Sequence, residues 1–311
     1  MTEPEYRLQD LGDRRVLTID GQQHSTHYSE RVVRMLIERK GARRAALYFP
    51  FKETRGRHFL APLFGYLGDR ARDLRVLEVG CSFGHVTEYL AERPEVARIS
   101  TFDTDPDFVA MLRAKVEDLG LDKVVDLRLL DNDETRRLPY ADAAFDLVLA
   151  IGVVEHLPPR HRRAQVDEYY RVLRGGGHIA ILDTPNRAFP LETHSVGLPL
   201  VQWLPAPLAW RYARMGRPGR YRGVGYAQFV ADGTGWRNAS WRDCLPSAGG
   251  AGLEDVTEAA GYGWRFFQET ARSRTRRAML PAFGVACRLL GAAGRSPSLA
   301  LPYFNLVFRK R

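Results

Sequence analysis

One stretch, residues 74–90, limits what this chain can fold into more than any other. Its first half sets Leu74, Val76, Leu77 and Val79 around Arg75 and Glu78, a short apolar, β-branched run of the kind a buried parallel strand needs. Its second half carries Val86, Tyr89 and Leu90 at helical spacing. Between the halves lie Gly80, Cys81, Ser82 and Gly84, small residues in a turn where backbone approaches a ligand closely. A strand, a tight turn and a helix in that order predict a nucleotide-type cofactor site in a doubly wound sheet, with the ligand at the carboxyl ends of the strands.

The turn excludes two common ligand classes. The dinucleotide fingerprint G-x-G-x-x-G is absent, because Ser82 stands where its middle glycine would be, and there is no G-x-x-x-x-G-K-[ST] phosphate loop. What remains is an acidic residue, Glu78, followed by Gly80 and Gly84.

Downstream the chain alternates. Strands are expected at 74–79, 98–102, 123–130, 145–151 and 178–182, with helices at 84–92, from Pro106 to about Gly120, and at 160–173, the last stopped by Gly175, Gly176 and Gly177. Such alternation predicts a parallel sheet with right-handed crossovers. Glu78, Asp103 and Asp131 fall at the ends of successive strands. After them come Leu138-Pro139-Tyr140, Phe145-Asp146-Leu147-Val148, Glu155-His156-Leu157 and a run from Arg171 to Gly177.

In that order and spacing, these motifs resemble the class I, Rossmann-like methyltransferases dependent on S-adenosylmethionine, in the branch acting on small molecules such as quinones and natural products. The likeness covers 74–185. It implies an α/β, doubly wound, mostly parallel seven-stranded sheet with an antiparallel last strand, and S-adenosylmethionine as cofactor, with S-adenosylhomocysteine as product. Glu78 is expected at the ammonium group, and Gly80, Cys81, Ser82 and Gly84 along the methionyl portion. Asp103 can accept two ribose hydroxyl bonds, with Thr104 beside it. Asp131 and Asn132 suit the adenine edge, and Ile151 and Gly152 the methionyl chain. Asp105 and Asp131 would serve equally as helix caps.

The flanking segments read as additions to that core. Residues 1–70 form an expected helical lid, with a helix over 30–40 capped by Ser29 and ended by Gly41, a second over 56–67, and a polar segment at 22–28 able to touch a ligand or lie as surface loop. After the core at 71–185, residues 186–240 are too long for a plain connection and read as an inserted cap. Its Trp203, Trp210, Tyr212, Tyr221, Tyr226 and Phe229 suit an apolar or aromatic acceptor, or the cap's own small core. Residues 241–311 complete the sheet: a helix over 241–248, a strand over 253–258, a helix over 273–290 and a terminal strand over 303–309. The 273–290 helix has apolar and basic faces that would suit a membrane surface, though Pro281 and its short apolar face favour packing on the core.

Methyl transfer to oxygen or nitrogen needs a proton removed. The candidate bases are His156, after the fourth strand, and His194 with Glu192 in the cap. No spaced set of carboxylates and histidines is evident, so no metal is expected. The net charge of +9 suggests nucleic acid, an anionic surface or an acidic substrate, but the basic residues are spread along the chain. The Asn/Asp-Pro-Pro-aromatic motif of base-amine methylation is absent, its place taken by residues 152–156. RNA methylation and a non-catalytic cofactor-binding subunit are therefore the rival readings. Three widely spaced cysteines, no visible signal peptide and no spanning apolar run fit a cytoplasmic protein.

Overall fold

The computed structural model describes residues 6–216, 221–232 and 236–311. Residues 1–5 of the expected lid, and 217–220 and 233–235 of the expected cap, lie outside the described residues. The chain divides into two compact units, Met1–Leu130 and Asp131–Arg311.

The first unit opens with an antiparallel meander of β1 (Tyr6–Asp10), β2 (Arg15–Ile19) and β3 (Gln22–Thr26). These strands are additional to the expected helices. The 22–28 segment hides its strand because β3 is polar along its length, so no period-2 alternation marks it. Helix α1 (Glu30–Lys40) is as the spacing predicts: Ser29 accepts from the Val32 amide, Gly41 ends it at φ +76°, and Val32, Val33, Leu36 and Ile37 are buried. Helix α2 (Ala42–Tyr48) follows. A six-residue π-helical turn, Lys52–Arg57, then runs straight into α3 (His58–Leu67). Next come β4 (Leu74–Val79), α4 (His85–Ala91), β5 (Val96–Asp103), α5 (Pro106–Leu119) and β6 (Val124–Leu129). Asp105 caps α5 by accepting from the Asp107 amide, Pro106 opens it, and Gly120 closes it at φ +62°. The three strands pair in parallel in the order β6-β5-β4.

The second unit holds β7 (Phe145–Ile151), α6 (Arg162–Val172), β8 (Leu173–Pro185), α7 (Ala206–Ala213), α8 (Tyr226–Asp232), β9 (Leu253–Asp255), α9 (Trp264–Thr270), α10 (Arg274–Ala292) and β10 (Tyr303–Lys310). The glycine triplet does not separate helix from strand as expected. Helix α6 passes directly into β8, and the glycines sit inside that strand. They absorb an irregularity, since β7 pairs Phe145 with Leu173 but Leu147 with His178. Only glycine fits at 177, where a Cβ would lie 2.8 Å from the Asp146 carbonyl oxygen. The helix expected at 241–248 shrinks to one 3-10 turn, Trp241–Cys244, held by a Ser240–Asp243 capping box and followed by Pro246.

Together the seven strands run in the order β6-β5-β4-β7-β8-β10-β9, with β10 antiparallel to both neighbours. This is the doubly wound α/β sheet that the alternation implies. Ile179, Ala180, Ile181 and Leu182 of β8 are all fully buried, as a central strand covered on both faces must be. Helix α10 buries Phe283 and Cys287 against Phe267, so its apolar stripe packs on protein, while Met279 and Leu289 remain exposed. Among the described residues no helix is long and apolar enough to cross a membrane.

Candidate functional site

The turn between β4 and α4 is built from left-handed residues. Gly80 has φ +74°, Ser82 +47° and Gly84 +72°. The serine at the middle-glycine position thus adopts the glycine conformation despite its side chain. It is held there by Asp103 at the tip of β5: Asp103 Oδ2 accepts from the Ser82 amide (2.9 Å), and Oδ1 from the amides of Thr104 (2.8 Å) and Asp105 (3.0 Å). The Gly80 and Cys81 amides both donate to the Phe102 carbonyl (3.0 and 3.1 Å). The two strand tips are therefore laced into one rim, with Gly80, Ser82 and Asp103 half-buried and Thr104 exposed.

Glu78 lies beneath this rim and is buried. Its Oε2 accepts from the Thr87 hydroxyl on α4. Burial, helped by the nearby Asp103 charge, pushes its carboxyl up to about 8. Cys81 is also buried, so it can meet a ligand only through backbone, and its thiol is pushed far up by desolvation.

A group that sequence reasoning did not connect packs against the same helix. Glu88 is almost wholly buried, and its carboxylate takes His27 Nε2 (2.7 Å), the Tyr28 hydroxyl (3.0 Å) and Lys115 Nζ (3.2 Å). Despite the opposing effect of burial, His27 and Lys115 hold its carboxyl down at about 2. His27 and Tyr28 come from the polar 22–28 segment, so those residues tie the meander to α4. Tyr48 meets Phe83 of the turn at 4.5 Å with the rings tilted by 57°, and Gly56 lets the π-helical turn approach α4, where a Cβ would lie 2.9 Å from the His85 carbonyl oxygen.

In the second unit Asp131 caps its own loop. Its Oδ1 accepts from the amides of Asp133 (2.7 Å) and Glu134 (2.8 Å), and its amide donates to Glu134 Oε2. Asp131 and Asn132 are exposed, and the Asn132 carbonyl accepts from Thr135 Oγ1 (3.0 Å). Ile151 and Gly152 are half-buried at the end of β7, with Gly152 at φ +66°.

The three candidate bases separate into two roles. Glu192 is fully buried and accepts from four backbone amides, those of His194, Ser195, Val196 and Gly197. Both its oxygens are engaged in folding the loop. His156 and His194, by contrast, meet, with Nε2 atoms 3.1 Å apart and rings inclined by 60°. Glu155 lies against them, its Oε1 3.8 Å from His156 Nε2. It is fully buried, its oxygens have no donor in full hydrogen-bond geometry, and burial pushes its carboxyl up to about 8 against a smaller lowering by its own amide and the nearby Thr184 hydroxyl. The neighbouring Thr184 hydroxyl is directed instead at the Leu182 carbonyl (3.5 Å). One ligand atom from each of Glu155, His156 and His194 falls within 4.8 Å of the others. The expectation that no carboxylate–histidine set exists is thus corrected, for a reason of topology: His194 is 38 residues from His156 and only the fold joins them.

The cap aromatics mostly serve the cap. Phe229 stacks on Trp236 at 4.5 Å, and Trp210, Tyr212 and Tyr221 pack into the same cluster. Trp210 donates to the Val224 carbonyl, and Trp203 and Tyr226 are exposed. An acceptor pocket lined by these rings is not what the packing supports.

Residues 76–177 match a family described as a methyltransferase domain. Phosphatidylethanolamine N-methyltransferase of Cereibacter sphaeroides is 37% identical over 113 residues, which are 36% of this chain and 52% of that protein. Methyltransferase GfsG of Streptomyces halstedii is 36% identical over 109 residues, 35% of this chain and 37% of that one. A probable tRNA methyltransferase 9B of Bos taurus is 29% identical over 158 residues, 49% of this chain and 30% of that one. The chain thus spans about half the length, or less, of these curated relatives. Over 76–177, where the acidic strand tips and the left-handed turn lie, the chain matches a methyltransferase domain, and its sheet has the Rossmann-like order of that class.

Proposed function

We propose that this chain transfers the methyl group of S-adenosylmethionine to an oxygen of a small-molecule acceptor. The observation that carries the reading is the His156–His194 pair, in which the imidazole just after β7 meets one from the 186–240 segment. An imidazole takes up a proton near neutral pH, and an oxygen acceptor must lose one before or during attack. The bound cofactor supplies a methyl group already activated by its positive sulfur, so alignment of the acceptor carries much of the remaining catalysis.

In this reading Glu78 faces the ammonium group, and the backbone of Gly80, Cys81, Ser82 and Gly84 borders the methionyl portion. Asp103 and Thr104 take the ribose, Asp131 and Asn132 the adenine edge, and Ile151 and Gly152 the methionyl chain. The fit is supported by the buried Glu78 carboxyl, which a cation would ionise, and by the left-handed turn that brings backbone to the rim. Asp103 Oδ2 retains a lone pair beyond its one amide bond, whereas Oδ1 already accepts from both the Thr104 and Asp105 amides. Residues 1–70 act as a lid and 186–240 as the cap that delivers His194. Three free, buried cysteines fit a reducing cytoplasm. A nitrogen acceptor is the second reading, favoured by the phosphatidylethanolamine N-methyltransferase among the relatives.

The test is transfer of labelled methyl from S-adenosylmethionine to a panel of phenols, amines and tRNA. Label on a phenolic oxygen is expected, with His156→Ala and His194→Ala each lowering kcat by about 10²-fold or more at unchanged cofactor affinity. Label on RNA alone, or on no acceptor although the cofactor binds, would sink the proposal.

A further inference from the structure

We propose that Glu155, His156 and His194 form a site for one divalent transition-metal ion of the zinc or cobalt(II) kind, with at least one coordination position left open. The three ligand atoms lie within 4.8 Å of one another. Two nitrogens bound to a tetrahedral ion at about 2.0–2.1 Å stand about 3.3 Å apart. The imidazole Nε2 atoms are separated by 3.1 Å, and Glu155 Oε1 is 3.8 Å from that of His156. Small side-chain rotations bring all three onto one ion.

A second, independent observation is the state of Glu155. It is fully buried, and neither carboxylate oxygen has a donor in full hydrogen-bond geometry. A buried carboxyl in that condition is costly unless a cation or donor reaches it. The buried cation beside it does not fill the gap. Arg162 directs its guanidinium to the carbonyls of Glu155, Leu157 and Asn238 and to Asp243, rather than to the Glu155 carboxylate. The vector left open runs toward the histidines.

The supporting structure is of the kind that metal ligands need. Glu155 and His156 sit on a short 3-10 turn, Val154–His156, fixed at the end of β7. His194 sits on a loop clamped by the four amide bonds to Glu192. That clamp gives the buried Glu192 a purpose: it holds His194 in place as a positioning residue. The donor set, two imidazoles and a carboxylate, is that of open zinc centres, and is too rich in nitrogen for calcium or magnesium.

Binding requires both Nε2 lone pairs, so with the ion bound each neutral imidazole carries its proton on Nδ1. With both Nε2 lone pairs on the ion the imidazoles no longer act as bases, and an acceptor oxygen at the open position would instead be acidified by the ion. That last consequence rests on the proposed methyl transfer, whereas binding of the ion does not.

The experiment uses untagged, chelator-treated protein titrated with Co²⁺ and followed by visible absorption, then by displacement with Zn²⁺. One Co²⁺ per chain is expected, with the intense bands of four- or five-coordinate cobalt. His194→Ala is expected to abolish those bands and weaken binding by about 100-fold or more, beyond what loss of an outer partner costs. Glu155→Gln should do the same. Should the buried substitution prevent folding, His156→Ala, at an exposed position, replaces it. Circular dichroism and S-adenosylhomocysteine binding verify that each variant is folded. A wild-type spectrum of hydrated, six-coordinate cobalt, or a His194→Ala variant binding as tightly as wild type, would overturn the site. A protein that shows the cobalt bands but methylates no acceptor would sink the proposed function and leave the metal site standing.

Discussion

Glu78 shows how one buried side chain can couple cofactor binding to pH. Its carboxyl titrates at about 8, chiefly because burial penalises the charge and secondarily because Asp103 is near, against a lowering contribution from the Thr87 hydroxyl. Near pH 7 it is mostly neutral. A ligand ammonium placed against it favours the charged form, so binding should release a proton and tighten as pH rises toward about 8. Calorimetry of S-adenosylhomocysteine in buffers of different ionisation enthalpy should count that proton, and comparison with Glu78→Gln removes the titration of the ligand's own amine. Equal proton release in both proteins would refute the assignment. The same shift has a consequence for stability. A folded-state carboxyl above its ordinary 4.5 keeps its full contribution below 4.5 and loses it as pH rises through about 8. The ligand-free wild type should therefore lose stability across that window more steeply than Glu78→Gln. Glu192 makes the opposite kind of residue-scale prediction. Glu192→Ala leaves four amides of the 194–197 loop without their acceptor and should cost about 3 kcal/mol or more in denaturant unfolding. Full stability with lost turnover would mark it as a base.

At the scale of elements, the turn after β4 allows a paired test. A Cβ on Gly84, at φ +72°, would lie 2.7 Å from Leu112 Cδ1 of α5, so Gly84→Ala should destabilise the protein by about 1–2 kcal/mol from backbone strain alone. Ser82 already occupies the left-handed region at φ +47°, so Ser82→Gly relieves strain there and should not destabilise. Thermal unfolding should drop for Gly84→Ala and stay at or above wild type for Ser82→Gly, and a matching loss in both would show that the turn is not held as described. The turn also shows what kind of element a sequence reveals. Where periodicity and end signals agree, as in α1 with Ser29 and Gly41 or α5 with Asp105, Pro106 and Gly120, the element is legible to the residue. Strand β3 is not, because a strand polar along its length carries no alternation. The π-helical turn at Lys52–Arg57 is not, because Gly56 is there for close approach to α4 rather than for any local preference. The glycine triplet misleads because a helix stop and a strand irregularity use the same residue type. The site divides in the same way. Acids at strand tips follow from local order, whereas the His156–His194 contact, and Glu88 with its three partners, depend on distant chain segments meeting.

For the whole molecule, the net charge of +9 is the one property that speaks for a nucleic-acid partner. Its distribution speaks against one. In the first unit Arg31 pairs with Glu117, Arg34 with Glu30, Arg39 with Asp105 and Arg43 with Asp20. In the second, Arg171 pairs with Glu168 and Asp142, and Arg265 with Glu269. Many cations are thus answered locally, and each exposed pair is worth little to stability but lowers the field that a phosphate backbone would meet. The densest basic run, Arg272 to Arg277, has no aromatic among its residues on which bases could stack. A protein that neutralises 6–10 phosphates loses roughly 10³–10⁵ in affinity between about 50 and 200 mM salt. For this chain, filter binding to tRNA should be weak and should change by less than about tenfold over that range, the behaviour of diffuse attraction. A steep slope with tight binding surviving at the higher salt would instead mean that the cations assemble a phosphate track, and would move the acceptor from a small molecule to RNA.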